Sequence, residues 1–179
     1  RCLVGSEMCI RDSIPVGHKN IKSLNKDFVV KKLKPILEDP SIKKVGQNIK
    51  YDFIILKKYG VELNSVEDTM LLSYTLDAGN NRHNMDTLSE LHLNHKTISY
   101  KDLVGSGKKQ LKFSEVDIDK ATEYAAEDAD VTLRLYEILS ERVSDEKLSQ
   151  IYEAFEKPMI KILSKLETYG IKVDDNYLK

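Results

Sequence analysis

The chain has 179 residues, 41% of them hydrophobic, and its 28 Lys and Arg against 29 Asp and Glu leave a net charge of −1. That apolar share suffices for a packed core and excludes an intrinsically disordered chain, while the balanced charge excludes a global positive field that would draw the molecule onto nucleic acid or an anionic membrane. The longest uninterrupted aliphatic or aromatic run is Phe53 to Leu56, far below the roughly 20 residues a membrane span requires, so no membrane partner is expected.

Both cysteines, Cys2 and Cys9, fall in the first thirteen residues, which excludes a disulfide framework or a Cys-based zinc site from the rest of the chain. The chain opens on Arg1, and residues 1–13, RCLVGSEMCIRDS, show no secretory pattern and no helical or strand-like period. They are similar to translated sequencing-adaptor sequence of the kind found at the ends of environmental gene fragments. The expectation is a foreign segment on a fragment, set aside from fold reasoning.

From Ile14 a short extended stub, Ile14-Pro15-Val16, leads through a polar loop to an amphipathic stretch, Phe28-Val29-Val30-x-x-Leu33. That spacing predicts a helix with Asp27 as N-cap, disturbed at Pro35. Residues 43–47 read as a strand, residues 48–59 as a helix closed by Gly60, residues 61–66 as a second strand and residues 69–76 as a second helix. Strand, helix, strand and helix in this order is an α/β pattern with parallel strands. Residues 79–112 are rich in loops, with a helix over 85–93 behind a cap at Asn84. Asp117 caps a long helix from Ile118 to about Val143. Residues 146–168 read as a second long helix, bent near Pro158 and ended by Gly170. Ile171-Lys172-Val173 looks like a strand leading into a further helix.

Two apparent signals fail. Gly105-Ser106-Gly107-Lys108 is not a phosphate loop, because Asp102 stands where the first Gly belongs and Lys109 replaces the Ser or Thr; it reads as a basic turn. His92 and His95 have no HExxH motif or Cys partner and read as ordinary surface or hydrogen-bonded histidines.

Two segments do stand out. Val45-Gly46-Gln47-Asn48-Ile49-Lys50-Tyr51-Asp52 places polar side chains where a strand turns into a helix, at the carboxyl end of the strand, where open α/β sheets bind ligands. Asp52 follows Asn48 by one helical turn, so both project from one face; a plain helix start, with Asn48 as cap and Asp52 facing the dipole, accounts for the same residues. Tyr124-Ala125-Ala126-Glu127-Asp128-Ala129-Asp130 lies inside the long helix, where Tyr124 and Asp128 share a face and the alanines leave room for a ligand. Taken singly, an exposed acidic face explains it equally well.

Together these segments resemble the second and third exonuclease motifs of the proofreading domain of family-A DNA polymerases: VGQNIKYD at 45–52 and YAAEDADVTL at 124–133. The resemblance extends to EDTMLLSY at 67–74, RHNMDTLSE at 82–90, HKTISY at 95–100 and GKKQLKF at 107–113. EKPMIKILSKLETYGIKVD at 156–174 resembles the start of a polymerase domain. The implied fold is α/β, a ribonuclease-H-like mixed sheet flanked by helices and lacking its first strands. The implied division is a foreign segment over 1–13, a truncated 3′-5′ exonuclease domain over 14–145 and the beginning of a helical polymerase domain over 146–179.

The resemblance implies hydrolysis of phosphodiesters from a DNA 3′ end with two divalent cations, Mg²⁺ or Mn²⁺, held by four carboxylates. Such hard cations take oxygen ligands. By position, Asp52 and Asp128 are two of the four and Tyr124 orients the attacking water. Gln47, Asn48, Arg82 and Tyr100 fall at positions that hold the single-stranded end, Arg82 suiting a phosphate and Tyr100 a base. The implied partners are a single-stranded DNA 3′ end and the polymerase domain of the same parent, in a monomer of the bacterial cytoplasm. The first exonuclease motif, Asp-x-Glu, occurs nowhere in the 179 residues. The expectations are therefore impaired cation binding, a nearly inactive chain, and a marginal, aggregation-prone fold whose 43–47 strand lacks a neighbour. The alternatives are a non-catalytic scaffold domain of a polymerase and a related 3′-5′ exoribonuclease.

Overall fold

The computed structural model describes residues 3–5, 8–10, 13–19, 22–107, 110–174 and 177. The chain opens on β1 (Leu3–Gly5) and β2 (Met8–Ile10), an antiparallel pair in the register Leu3↔Ile10 to Gly5↔Met8. Residues 1–13 thus do hold strand structure; three-residue strands are too short to display a period of two in the sequence.

Helix α1 (Lys26–Glu38) begins two residues earlier than its apolar pattern suggests, because Asn25 rather than Asp27 is the cap, its Oδ1 accepting the Phe28 N–H at 3.0 Å. The helix runs through Pro35, which sits in its closing turns and removes one internal hydrogen bond there without ending it. Strand β3 (Lys44–Gly46) is followed by α2 (Lys50–Lys57), and β4 (Val66–Asp68) by α3 (Thr69–Asp77). The two strands pair in parallel, Lys44↔Val66 to Gly46↔Asp68. Val61 and Leu63 are buried as the alternation suggested, but the ladder starts later, where the Lys44 N–H meets the Ser65 carbonyl at 2.8 Å. The second strand therefore begins where the 61–66 reading ended. Among the described residues the expected single mixed sheet is instead two separate two-stranded sheets in a mostly helical molecule.

Helices α4 (Met85–Leu93) and α5 (Tyr100–Val104) and a 3₁₀ turn (Phe113–Glu115) fill the loop-rich stretch. Lys108 and Lys109 of the basic turn lie outside the described residues. Asp117 caps α6 (Ile118–Asp145) as expected, its Oδ1 accepting the N–H groups of Asp119 and Lys120. The single helix expected from 146 is broken. Lys147 takes a left-handed φ of 59°, after which α7 (Ser149–Ile151), a π-helical segment (Tyr152–Glu156) and α8 (Lys157–Tyr169) follow. Pro158 stands just after the π-helical segment inside a continuous helical run, so the irregularity of the helix does lie beside it, where its missing N–H leaves one internal bond unmade. Residues 171–173 form no strand, and the further helix expected after them falls largely outside the described residues.

The main core gathers Val131, Leu135, Leu139 and Val143, spaced four apart along α6, against Leu72 of α3, Leu88 of α4 and Tyr152. A second cluster joins Ile49, Leu63, Val66 and Ile160, so α8 packs on α2. A third, Val104, Val116 and Ala121, seats α5 on the start of α6. Among the described residues no helix is long and apolar enough to cross a membrane. Leu135, with no exposed surface, lies at the centre of the main core. Leu135→Ala is expected to destabilise the fold by about 2–5 kcal/mol, read as a lowered urea midpoint; an unchanged midpoint would contradict its place there.

Candidate active site

The turn between β3 and α2 is fixed by one carboxylate. Asp68, 1% exposed, accepts the N–H groups of Asn48 at 3.0 Å and Ile49 at 2.9 Å, and as cap of α3 that of Met70 at 2.9 Å. Gly46 makes the turn sterically feasible, since a Cβ there would stand 2.9 Å from Ile49 Cγ1. Asn48 is consequently not a helix cap. It has a left-handed φ of 55° outside α2, where Ile49 occupies the capping position, and its side chain is exposed. The expected one-turn pairing of Asn48 and Asp52 within a single helix does not form.

Asp52 lies in the first turn of α2, its residue exposed. The protein mass beneath it nevertheless raises its carboxyl above the usual range, and the Asp68 charge adds to the rise. Both ends of the Gln47 amide are taken: Nε2 donates to the His83 carbonyl at 2.8 Å and Oε1 accepts the Thr69 hydroxyl. Gln47 thereby braces the turn against the 82–84 loop. Arg82 is exposed on that loop and, with Met70, Tyr74, His83 and Glu156, lines an open cavity of about 680 Å³.

The second of the two standout segments forms another cluster on α6. Tyr124 and Asp128 stand one turn apart and interact through the phenol and the carboxylate. Burial first, then the Asp128 charge, pushes the Tyr124 phenol up to about 12, so it stays a neutral donor. Burial likewise pushes Asp128 up to about 6; the Tyr124 hydrogen bond opposes this, while Glu127 and Asp86 reinforce it. Asp128 Oδ1 is buried and has no hydrogen-bond partner. Tyr100, 46% exposed, stacks on Phe113 at 6.4 Å between ring centroids and meets Tyr124 edge-on at 6.2 Å. Phe113 also meets Tyr124 at 6.2 Å.

Sequence reasoning did not single out the residues that assemble this cluster. Glu127 accepts the Ile98 N–H at 2.7 Å and lies 2.8 Å from His95 Nε2, while Asp86 accepts the Thr97 hydroxyl at 2.6 Å. The Glu127 bonds tie His95 and Ile98 to α6 and the Asp86 bond ties Thr97 to α4, and together they bring Tyr100 to Tyr124. Asp68, Asp86, Glu127 and Phe113 all stood within segments of family resemblance, and that was the only signal for them. The structure thus brings Tyr100, Tyr124 and Asp128 into one cluster and Gln47 and the Arg82 loop into another. The carboxylate acting on Asp52 is Asp68, whereas those acting on Asp128 are Glu127 and Asp86. Among the described residues no three acidic, His or Cys side chains converge as a preformed cation site.

The donor set still suits a hard divalent cation. A buried, partnerless carboxylate oxygen on a group reluctant to ionise is what a cation would relieve, and all the candidate ligands are oxygens.

A short parallel ladder, polar at its carboxyl end and backed by a helix bearing Tyr-x-x-x-Asp, belongs to the ribonuclease-H-like exonuclease fold. The POL domain of Pol1 from M. smegmatis, in complex with DNA primer-template and dNTP, shares it with a TM-score of 0.64 at 22% identity, over 86% of this chain and 23% of that one. The chain belongs to the 3′-5′ exonuclease family of family-A DNA polymerases, whose pattern matches residues 5–144. It is 53% identical over 147 residues to DNA polymerase I of Rhizobium leguminosarum, covering 82% of this chain and 14% of that protein. Against DNA polymerase I of Pseudomonas aeruginosa it is 39% identical over 187 residues, covering 98% of this chain and 20% of that protein. The chain therefore spans a fifth or less of these relatives.

The raised pKa of Asp128 has a definite sign. Because the folded state holds this proton more tightly than the unfolded chain, the stability it contributes is present below the ordinary value of 3.8 and is lost as pH rises to about 6. Asp128→Asn is expected to raise the melting temperature at pH 7.5 and to flatten its fall between pH 4 and pH 7; a variant with an unaltered profile would contradict the assignment.

Proposed function

We propose that the domain removes nucleotides from a DNA 3′ end as the proofreading part of a family-A DNA polymerase in the bacterial cytoplasm. The observation that supports this most is the Tyr124–Asp128 cluster, where a neutral phenol adjoins a carboxylate whose buried oxygen has no partner. Asp128 and Asp52 would hold the divalent cations, Mg²⁺ or Mn²⁺. When bound, a pair of such ions lowers the pKa of water and offsets charge on the leaving 3′ oxygen.

The remaining work falls to this chain's own side chains. Tyr124 keeps its proton near neutrality and donates it in a hydrogen bond to Asp128, which leaves the phenol oxygen to accept an O–H of the attacking water and fix its direction without removing a proton. Tyr100, held against Phe113, offers an exposed ring for a terminal base. Arg82 is exposed for a backbone phosphate, and Asn48 extends from the turn that Asp68 fixes. Gln47 contributes by holding the 82–84 loop in place. A single-stranded end suits this arrangement because stacking and phosphate contacts need unpaired bases. The polymerase domain of the same parent would be the other partner, with residues 146–179 as its beginning and residues 14–145 as the exonuclease domain, in a monomer.

Two of the four carboxylates of the family mechanism have no counterpart, since Asp-x-Glu is absent from the sequence. Mg²⁺ gives up its water reluctantly and needs convergent charge to be retained. The chain by itself is accordingly nearly inactive.

The test is Mn²⁺-dependent degradation of 3′-labelled single-stranded DNA, by this chain and by a version in which an opening strand bearing Asp-x-Glu replaces residues 1–13. Activity is expected only in the second. Comparable activity in both, lost with Asp128→Ala, would overturn the argument from missing carboxylates, and inactivity in both would overturn the nuclease reading. In the active version Tyr124→Phe is expected to lower kcat about a hundredfold with little change in DNA affinity; an unchanged kcat would remove Tyr124 from its role.

A further inference from the structure

Tyr152, the first residue of the π-helical segment, is 3% exposed, and its side chain belongs to the main core. Its hydroxyl accepts the Asp68 N–H at 3.2 Å and donates to Glu67 Oε2 at 2.9 Å. Lys157 Nζ closes the arrangement from the next turn, 2.8 Å from Glu67 Oε1 and 2.9 and 3.0 Å from the Glu153 carboxylate oxygens. Glu67 and Asp68 are adjacent in β4, both are buried, and the Asp68 carboxylate is the group that holds Asn48 and Ile49. A continuous series of hydrogen bonds therefore runs from the segment after α6, through β4, to the turn that launches α2 and Asp52.

We infer that Tyr152 is a positioning residue for the Gln47–Asp52 segment, acting through Asp68, with Lys157 and Glu67 fixing its hydroxyl. The ring alone would fill the core; the hydroxyl is what β4 requires, because without it a buried N–H and a buried carboxylate oxygen lose a shared partner. The local geometry is built for this contact. A π turn inserts one extra residue and rotates the side chains that follow, and such turns recur at functional sites. Here the turn opens at the buried Tyr152, leaves Phe155 67% exposed, and sets the direction of the Lys157 side chain that follows, which reaches Glu67. Tyr152 also lies beyond residue 144, where the family match ends, so the segment outside that match braces the candidate site within it. A second brace points the same way: Lys50, at the start of α2, pairs with Glu167 of α8. The consequence for cation binding rests on the reading of Asp52 given above.

The experiment is amide hydrogen exchange by NMR on the full chain, comparing Tyr152→Phe with the parent and with Tyr59→Phe, which removes an exposed hydroxyl that accepts from Lys26. Exchange at Asn48 and Ile49 is expected to accelerate about tenfold or more in Tyr152→Phe, with the α6 core amides unchanged. Lys157→Met, which keeps the hydroxyl, is expected to give a smaller acceleration at the same two amides and serves if the first variant does not fold. Unaltered exchange at Asn48 and Ile49, or an equal acceleration throughout the molecule, would overturn the inference. Mn²⁺-induced line broadening near Asp52, weakened in Tyr152→Phe, is the companion measurement. If the parent shows no such broadening, the reading of Asp52 fails, and the exchange comparison still decides the role of Tyr152.

Discussion

The fold depends on a buried carboxylate that is fully used. Asp68 sits at the end of the parallel ladder with almost no exposure, and an ion in that position is tolerable only if hydrogen bonds replace its water. It has three backbone N–H donors, two from the turn before α2 and one from the first turn of α3. Each of those helices begins with unsatisfied N–H groups and the positive end of its dipole, so one negative group serves both. With the turn held this way, Ile49 drops into the core beside Gly46, Asn48 adopts its left-handed conformation, and α2 sets out in a fixed direction.

Helix α6 divides its work along its length. Its second half is packing: Val131, Leu135, Leu139 and Val143 recur every four residues and are buried against α3 and α4. Its first half carries Tyr124, Glu127 and Asp128 among small alanines, and Glu127 there anchors the 95–98 segment. A rigid helix clamped at one end holds its other end still, so the chemistry-bearing turn inherits its position from the core.

The sequence made legible whatever is determined locally. Helix ends marked by Asn84, Asp117 and Gly170 fall where their side-chain or backbone preferences put them. The α6 pattern and the Tyr124–Asp128 pair follow from a period of 3.6 residues. What was not legible depends on partners distant in sequence. Val61 and Leu63 alternate like a strand but have no ladder partner, and the strand forms where β3 happens to lie. Residues 146–168 read as one helix because neither a left-handed Lys147 nor a π turn has a composition signature; both serve contacts made by Tyr152 with a strand more than eighty residues earlier. Asp68 looked like one acidic residue among many until the turn at 47–49 was placed beside it.

Asp68 and Asp128 show two different environments for a carboxylate, one buried and one half-buried. Both are shifted upward by burial, so both resist ionisation to some degree. Asp68 is surrounded by N–H donors that belong to the backbone and cannot leave, and its charge is consumed in holding the chain. Asp128 has a tyrosine hydroxyl on one side, acidic neighbours in Glu127 and Asp86, and an oxygen that meets no donor at all. Folding gains nothing from that oxygen, and a well-packed apolar side chain in its place would be more stable. The Tyr124 hydroxyl offsets part of this, and below about pH 6 a bound proton removes the charge. Backbone donors do reach Asp68, which has three, so the unpartnered oxygen of Asp128 reflects the position of that residue among its acidic neighbours and not a general shortage of donors.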